Sequence, residues 1–263
     1  MNELPKIQPI APYLTTTILE VNPADFDPAV LAEPARVLAA GGLVAFPTET
    51  VYGLGADAFN PAAINQVFRV KGRPNDNPII THVADLAMLE RLAAHVSDDA
   101  RLLIRRFWPG ALTISFPVRP DVPREVTSGL QTIGVRMPSH PIAFELIRQA
   151  GTPIAAPSAN LSTKPSPTVG RHVIDDLRGR VECIIDGGES DIGVESTVLM
   201  LGDVPTILRP GGVTLEMLQA VLPSTRVYRP STNLEMERKP PTPGMKYRHY
   251  APSAETYVVT GAK

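Results

Sequence analysis

The 263-residue chain has almost no cysteine: Cys183 stands alone, so no internal disulfide can form. Its place in the apolar run from Val181 to Ile185 suits a buried strand thiol in a reducing compartment. Charge of one sign is also lacking, since 25 Lys and Arg face 27 Asp and Glu and leave a formal net charge of −2. Such a balance excludes a chain whose main business is coating nucleic acid, although a local basic cleft can hide inside the average. No apolar run approaches the length of a membrane span, and the N-terminal stretch, broken by Pro5, Pro9 and Pro12, does not read as a secretory signal. The expected location is cytoplasmic. Aromatic residues make up only 5%, yet 43% of the chain is hydrophobic, enough for one generous globular domain with an appendage.

Several catalytic motifs are missing as well. No glycine-rich stretch ends in Gly-Lys-Ser/Thr, which excludes a Walker-type phosphate loop. A Gly-x-Ser-x-Gly elbow is absent, and Pro157 before Ser158 gives no adjacent base, so a serine nucleophile fails. His82, His140, His172 and His249 lack metal-ligand spacing, and no metal-ligating residues are assigned.

What is there is an alternation of strands and helices that predicts an α/β fold: a twisted mixed sheet flanked by helices. Strands are expected at 43–46, 79–83, 112–116, 133–136, 153–156, 181–186, 196–201 and 206–209. Helices fit at 60–69, where Asn60-Pro61 supplies an N-cap and first turn, and at 98–108, 141–149, 169–177 and 215–222. After Leu222 the prolines 223, 230, 240, 241, 243 and 252 interrupt regular structure, so residues 1–222 read as one domain and 223–263 as a proline-rich linker. That linker carries Arg226, Arg229, Arg238, Lys239, Lys246 and Arg248 against Glu235 and Glu237, so it either lies over an anionic ligand or stays solvated. Residues 256–260 read as one further strand.

Three polar clusters follow predicted strands or helices. Pro47 to Gly55 offers two hydroxyls, a carboxylate and two glycines, which suits a loop closing on a polar small molecule; the plain alternative is a turn with a capping threonine. Lys71-Gly72-Arg73, followed by Asn75 and Asn77 and set between prolines, offers a point charge and a fork for polyphosphate, or merely complements a helix end. Ala155 to Ser162, with Ser166 close behind, places Ser158 and Asn160 two apart on extended backbone, on one face, fit to hydrogen-bond a phosphate or a ribose. Arg136 sits in an apolar strand and needs a carboxylate partner, either internal, such as Glu49 or Glu195, or on a ligand.

Taken in order, PTETVYGLG at 47–55, KGRPNDNP at 71–78, FWPGALT at 107–113, TIGVRMPSHP at 132–141, APSAN at 156–160, ESTV at 195–198 and LRPGG at 208–212 resemble the YrdC/Sua5 family of threonylcarbamoyl-AMP synthases. The tail motif PGMKYRHYAP at 243–252 is similar to the linker of the longer Sua5 branch, whose second small domain the sequence reads as missing or truncated. The resemblance implies a YrdC-like fold and a nucleotidyltransferase that joins L-threonine, bicarbonate and ATP into threonylcarbamoyl-AMP and pyrophosphate, supplying t6A modification of tRNA at position 37.

Residue by residue, the resemblance implies that Thr50, His82, Arg136, Ala156 and Ser196 hold threonine. Arg73, Asn77, Thr132, Ser158, Ser166, Arg209 and Tyr247 would contact ATP, with Lys71, Arg73, Ser158 and Asn160 as the catalytic polar set around the phosphates. Mg2+ would be carried mainly by the ATP phosphates. Tyr247 and Arg248 would fold over the nucleotide as a lid. A threonylcarbamoyl transferase would receive the adenylate, a weak RNA contact is expected, and no membrane. The competing reading is a non-catalytic RNA- or nucleotide-binding module of the same fold, which has no use for a compact threonine set. A fragment of a hydrogenase-maturation enzyme would share the fold, but the zinc-finger segments expected there are lacking.

Overall fold

The computed structural model describes residues 14–229. The expected strand at 256–260, Tyr247, and the tail cations Arg238, Lys239, Lys246 and Arg248 lie outside the described residues.

Eleven strands among the described residues join one mixed sheet. In chain order they are β1 (Thr17–Glu20), β2 (Val44–Phe46), β3 (Gly53–Asp57), β4 (Thr81–His82), β5 (Leu112–Pro117), β6 (Thr132–Arg136), β7 (Ile154–Ala155), β8 (Cys183–Asp186), β9 (Thr197–Met200), β10 (Thr206–Arg209) and β11 (Arg226–Val227). Across the sheet the order is β1-β8-β2-β3-β7-β4-β6-β5-β9-β10-β11. Five neighbouring pairs are parallel (β1 with β8, β8 with β2, β4 with β6, β5 with β9, β10 with β11) and the other five are antiparallel, which makes the sheet mixed. The helices are α1 (Ala32–Ala39), α2 (Pro61–Lys71), α3 (Leu86–Glu90), α4 (Asp98–Phe107), α5 (Arg124–Thr127), α6 (Pro141–Ala150), α7 (Gly170–Leu177) and α8 (Leu215–Gln219). None of them is long and apolar enough to cross a membrane.

Local chemistry explains the elements that carry the site. Asn60 caps α2 by accepting from the Ala62 and Ala63 N–H groups, and Pro61 opens its first turn. Gly72 closes it in the left-handed region at φ 61°, a conformation that costs glycine nothing, so Lys71 and Arg73 leave the helix in different directions. Helix α4 is capped by Ser97, carries Asp98 and Asp99 in its first turn, and buries Ala100, Leu103, Ile104 and Phe107 at helical spacing. Strand β2 is buried along its whole length, and α1 and α6 pack against each other.

Three expectations are corrected. The glycines of 47–55 do not extend a loop: the loop ends at Tyr52, and β3 runs back antiparallel on β2, pairing Gly53 with Phe46 and Gly55 with Val44. Their reason is packing, because a Cβ on Gly55 would stand 2.7 Å from the Phe46 ring and 2.9 Å from Ile154. The stretch after Leu222 is not irregular from its start either, since β11 falls between Pro223 and Pro230 and pairs Arg226 with Thr206 and Val227 with Ile207. Strand β4 is also shorter than expected, with Ile79 and Ile80 left to line a cleft.

Candidate active site

A cleft partly open to solvent lies over the middle of the sheet, with about 680 Å³ of space between its walls when the open mouth is included. Its walls come from segments far apart in sequence: Thr48, Thr50 to Gly53, Arg73, Pro78 to Ile80, His82, Arg136, Ala156 to Ser158, Ser166, Glu195, Ser196 and Arg209.

Arg136, at the end of β6, is 3% exposed, and its partner is internal. Nη2 donates to Glu49 Oε2 at 2.9 Å and Nη1 to Thr50 Oγ1 at 2.7 Å, while Nε has no partner among the described residues. Burial pulls the guanidinium below its usual range and the Glu49 carboxylate pulls the other way. Thr50 is held in turn by Thr48, whose Oγ1 lies 2.9 Å from Thr50 Oγ1 and donates to Val51 O at 2.6 Å. Of the internal candidates that the sequence offers Arg136, beside a ligand, Glu49 is the one it meets; Glu195 accepts from Ser166 Oγ at 2.7 Å.

His82 follows from the pairing of β4 with β6, which sets it opposite Arg136. Burial first, then the Arg136 charge, push its pKa down to about 3, with a hydrogen bond to the Ile154 backbone offsetting part of the shift. The ring is neutral, and its buried Nδ1 has no partner among the described residues. Ser196 sits just before β9, with Oγ 2.7 Å from Thr113 Oγ1 on β5 and 3.2 Å from Arg209 Nη2. Arg209 also donates to Ser196 O at 2.9 and 3.2 Å, which ties β10 to the start of β9. Thr113 is fully buried inside the motif at 107–113, and only the β5–β9 register reveals its contact with Ser196.

On the other wall, Arg73 Nη2 donates to Asn77 O at 2.9 Å and Pro78 O at 3.1 Å, which folds the 72–80 loop around it. The Asn77 side chain is buried, with neither amide atom paired among the described residues. Ala156 is fixed by its N–H to Ile80 O at 2.9 Å. Of the residues singled out in the sequence, Thr50, Arg73, His82, Arg136, Ala156, Ser158, Ser166, Ser196 and Arg209 line the cleft. Lys71 and Asn160 lie behind Ser158, while Asn77 and Thr132, at the start of β6, stand outside the lining. Among the described residues no three His, Cys, Asp or Glu side chains are grouped to hold a metal ion.

Residues 36–211 match the Sua5/YciO/YrdC family, described as telomere recombination, and residues 213–263 match the threonylcarbamoyl-AMP synthase C-terminal domain. The second match overturns the expectation that this domain is missing or truncated. It begins at Val213, ahead of α8, whereas sequence reading looked for the domain only beyond the prolines. The chain is 52% identical over 239 residues to threonylcarbamoyl-AMP synthase of Bacillus subtilis, covering 90% of this chain and 68% of that protein. To the Pyrococcus abyssi enzyme of the same name it is 53% identical over 224 residues, covering 85% of this chain and 66% of that protein. The chain thus spans about two thirds of the length of these relatives. The crystal structure of P. abyssi Sua5 complexed with L-threonine superposes with a TM-score of 0.86 at 48% identity, covering 91% of this chain and 70% of that one.

Proposed function

The chain belongs to the Sua5/YciO/YrdC family, and on that footing we propose that it is a threonylcarbamoyl-AMP synthase, joining L-threonine, bicarbonate and ATP with release of pyrophosphate. The observation that carries the reading is a single cleft lined both by Thr50, His82, Arg136 and Ser196 and by Arg73, Ser158, Ser166 and Arg209. One group suits an amino acid and the other a nucleotide, and the reaction needs both in contact.

In the proposed chemistry bicarbonate takes up a proton and loses water to give CO2, and the threonine amine adds to that carbon and loses a proton to give a carbamate. A carbamate oxygen then attacks the α-phosphorus, the bond to the bridging oxygen breaks, and pyrophosphate leaves with the electron pair. A carbamate is a weak nucleophile, so positioning and charge stabilisation dominate. Arg136 takes the threonine carboxylate, held at the correct angle by Glu49 and Thr50. With its other ring nitrogen turned to the Ile154 backbone, the neutral His82 offers Nδ1 as an acceptor, which suits the threonine hydroxyl or amine. Ser196 and the Ala156 backbone complete that side, and Arg73 and Arg209 offset the phosphate charge, with Asn77, Thr132 and Tyr247 as further nucleotide contacts. Mg2+ would arrive on the ATP phosphates and supply charge neutralisation there; the cleft's one lining carboxylate, Glu195, is bonded to Ser166, which fits phosphate and water as the metal's ligands.

The adenylate is a mixed anhydride and calls for a threonylcarbamoyl transferase to consume it for t6A at position 37 of tRNA, in the cytoplasm. A non-catalytic RNA- or nucleotide-binding module is not favoured, because it leaves the buried Thr50–Arg136–Glu49 set without a purpose; a weak RNA contact remains compatible. Pyrophosphate release, measured with ATP, Mg2+, bicarbonate and each amino acid in turn, is the test. Release that needs both threonine and bicarbonate is the expected outcome. Silence under those conditions, or release indifferent to bicarbonate, would overturn the proposal.

A further inference from the structure

Lys71 ends α2 and is 3% exposed, yet no carboxylate stands within ion-pair distance of it among the described residues. Its ammonium meets three oxygens of one short segment: Ser158 O at 2.5 Å, Asn160 O at 2.5 Å and, more loosely, Asn160 Oδ1 at 3.4 Å. An ammonium has three N–H donors, so none is left over for a phosphate. The Ser162 N–H donates back to Lys71 O at 2.9 Å and ties the same segment a second time.

The Asn160 amide has a fixed orientation. Nδ2 donates to Leu161 O and Lys164 O, each at 2.8 Å, which turns Oδ1 toward Lys71 and Ser158. Ser158 Oγ donates to that oxygen at 2.6 Å, which commits its single proton. Ser158 lines the cleft, whereas Lys71 and Asn160 do not.

We infer that Lys71 is a positioning residue: it fastens the segment from Ser158 to Asn160, and Asn160 passes that order to Ser158, whose oxygen faces the cleft as a hydrogen-bond acceptor. The nucleotide group that meets Ser158 is then a donor rather than a phosphoryl oxygen, and the phosphate charge falls to Arg73 and Arg209. Burial, followed by the Arg73 charge, pushes Lys71 well below the usual lysine range. Even as a neutral amine it keeps two N–H groups for the two 2.5 Å carbonyl contacts. Only the functional consequence rests on the synthase reading; the fastening itself does not.

The test uses Lys71→Met, Lys71→Arg, Ser158→Ala and the double variant Lys71→Met/Ser158→Ala. Amide hydrogen exchange is followed across residues 157–162 without ligand, and calorimetry measures binding of ATP and of inorganic tripolyphosphate. Lys71→Met is expected to speed exchange in that segment and to weaken ATP roughly 10- to 100-fold, the worth of one or two hydrogen bonds, while leaving tripolyphosphate affinity unchanged. The double variant should lose no more than the worse single one, because both act through one network. Lys71→Arg should not rescue, since a planar fork cannot replace a point charge among three converging oxygens.

Rescue of ATP binding by arginine, a loss of tripolyphosphate affinity in Lys71→Met, or unchanged exchange would each overturn the inference. Should Lys71→Met not fold, Lys71→Gln, which keeps two N–H donors on a shorter arm, is read by the same criteria. Pyrophosphate release by the unaltered protein runs in parallel: its absence alongside faster exchange in the variant sinks the synthase reading and spares the fastening, and its presence alongside unchanged exchange does the reverse.

Discussion

Arg136 shows how one buried side chain ties stability to recognition. Its pairing with Glu49 has both side chains at most 5% exposed, so removal of either partner strands a charge in a poor dielectric. Glu49→Ala is expected to lower unfolding free energy by about 3–5 kcal/mol, whereas Glu49→Leu combined with Arg136→Met should recover much of that loss. Chemical denaturation of the three proteins checks this, and equal losses in the single and double variants would exclude it. Arg136→Ala, where it folds, should raise the KM for threonine far more than that for ATP.

His82 carries a pH signature of its own. Folded, its pKa lies near 3, against an ordinary 6.5, so between those values the unfolded chain takes up a proton that the folded chain refuses. Stability therefore falls as pH drops through that window, by an amount on the order of 4–5 kcal/mol from this residue, and is flat in pH on either side of it. His82→Gln should flatten the slope of unfolding free energy between pH 6.5 and 4. An unchanged slope in the variant would remove His82 from the acid response.

At the scale of elements, the LRPGG segment at 208–212 owes its first glycine to a close crossing of backbones. A Cβ on Gly211 would stand 2.2 Å from Glu195 O and 2.5 Å from both Ser196 C and Thr197 N, and backbone there cannot swing aside. Gly211→Ala should displace β10 from the start of β9, separating Arg209 from Ser196, at a cost of roughly 1–3 kcal/mol. Threonine and ATP affinity are expected to fall together, because one residue from each side of the cleft moves. Loss of only one ligand would argue against a coupled displacement.

Elements were legible where local chemistry decides them. The cap at Asn60, the 3.6-residue spacing of α4 and the apolar run of β8 all stand near their expected places. Strand β3 was not legible, because its glycines answer to the Phe46 ring on a neighbouring strand and, without that neighbour, read as loop. Strands β1 and β11 sit at the two edges of the sheet and form only through pairing with β8 and β10, so two to four residues carry little pattern of their own.

At the scale of the molecule, the ordered motifs indicated which residues gather in the cleft, and nine of them do line it. Their division of labour was not readable in one dimension. That Lys71 turns away from the cleft depends on where residues 158–162 cross the end of α2, and that Arg136 meets Glu49 depends on a contact 87 positions long. A sequence names the charges; only the crossing of segments says which face the solvent-filled space and which are spent inside.

The cleft's lining begins at Thr48 and is not complete until Arg209. During synthesis, then, a nascent chain has no place for either small molecule until that arginine has cleared the ribosomal tunnel. Ligand binding at the complete cleft can therefore add to stability only after synthesis has passed that point.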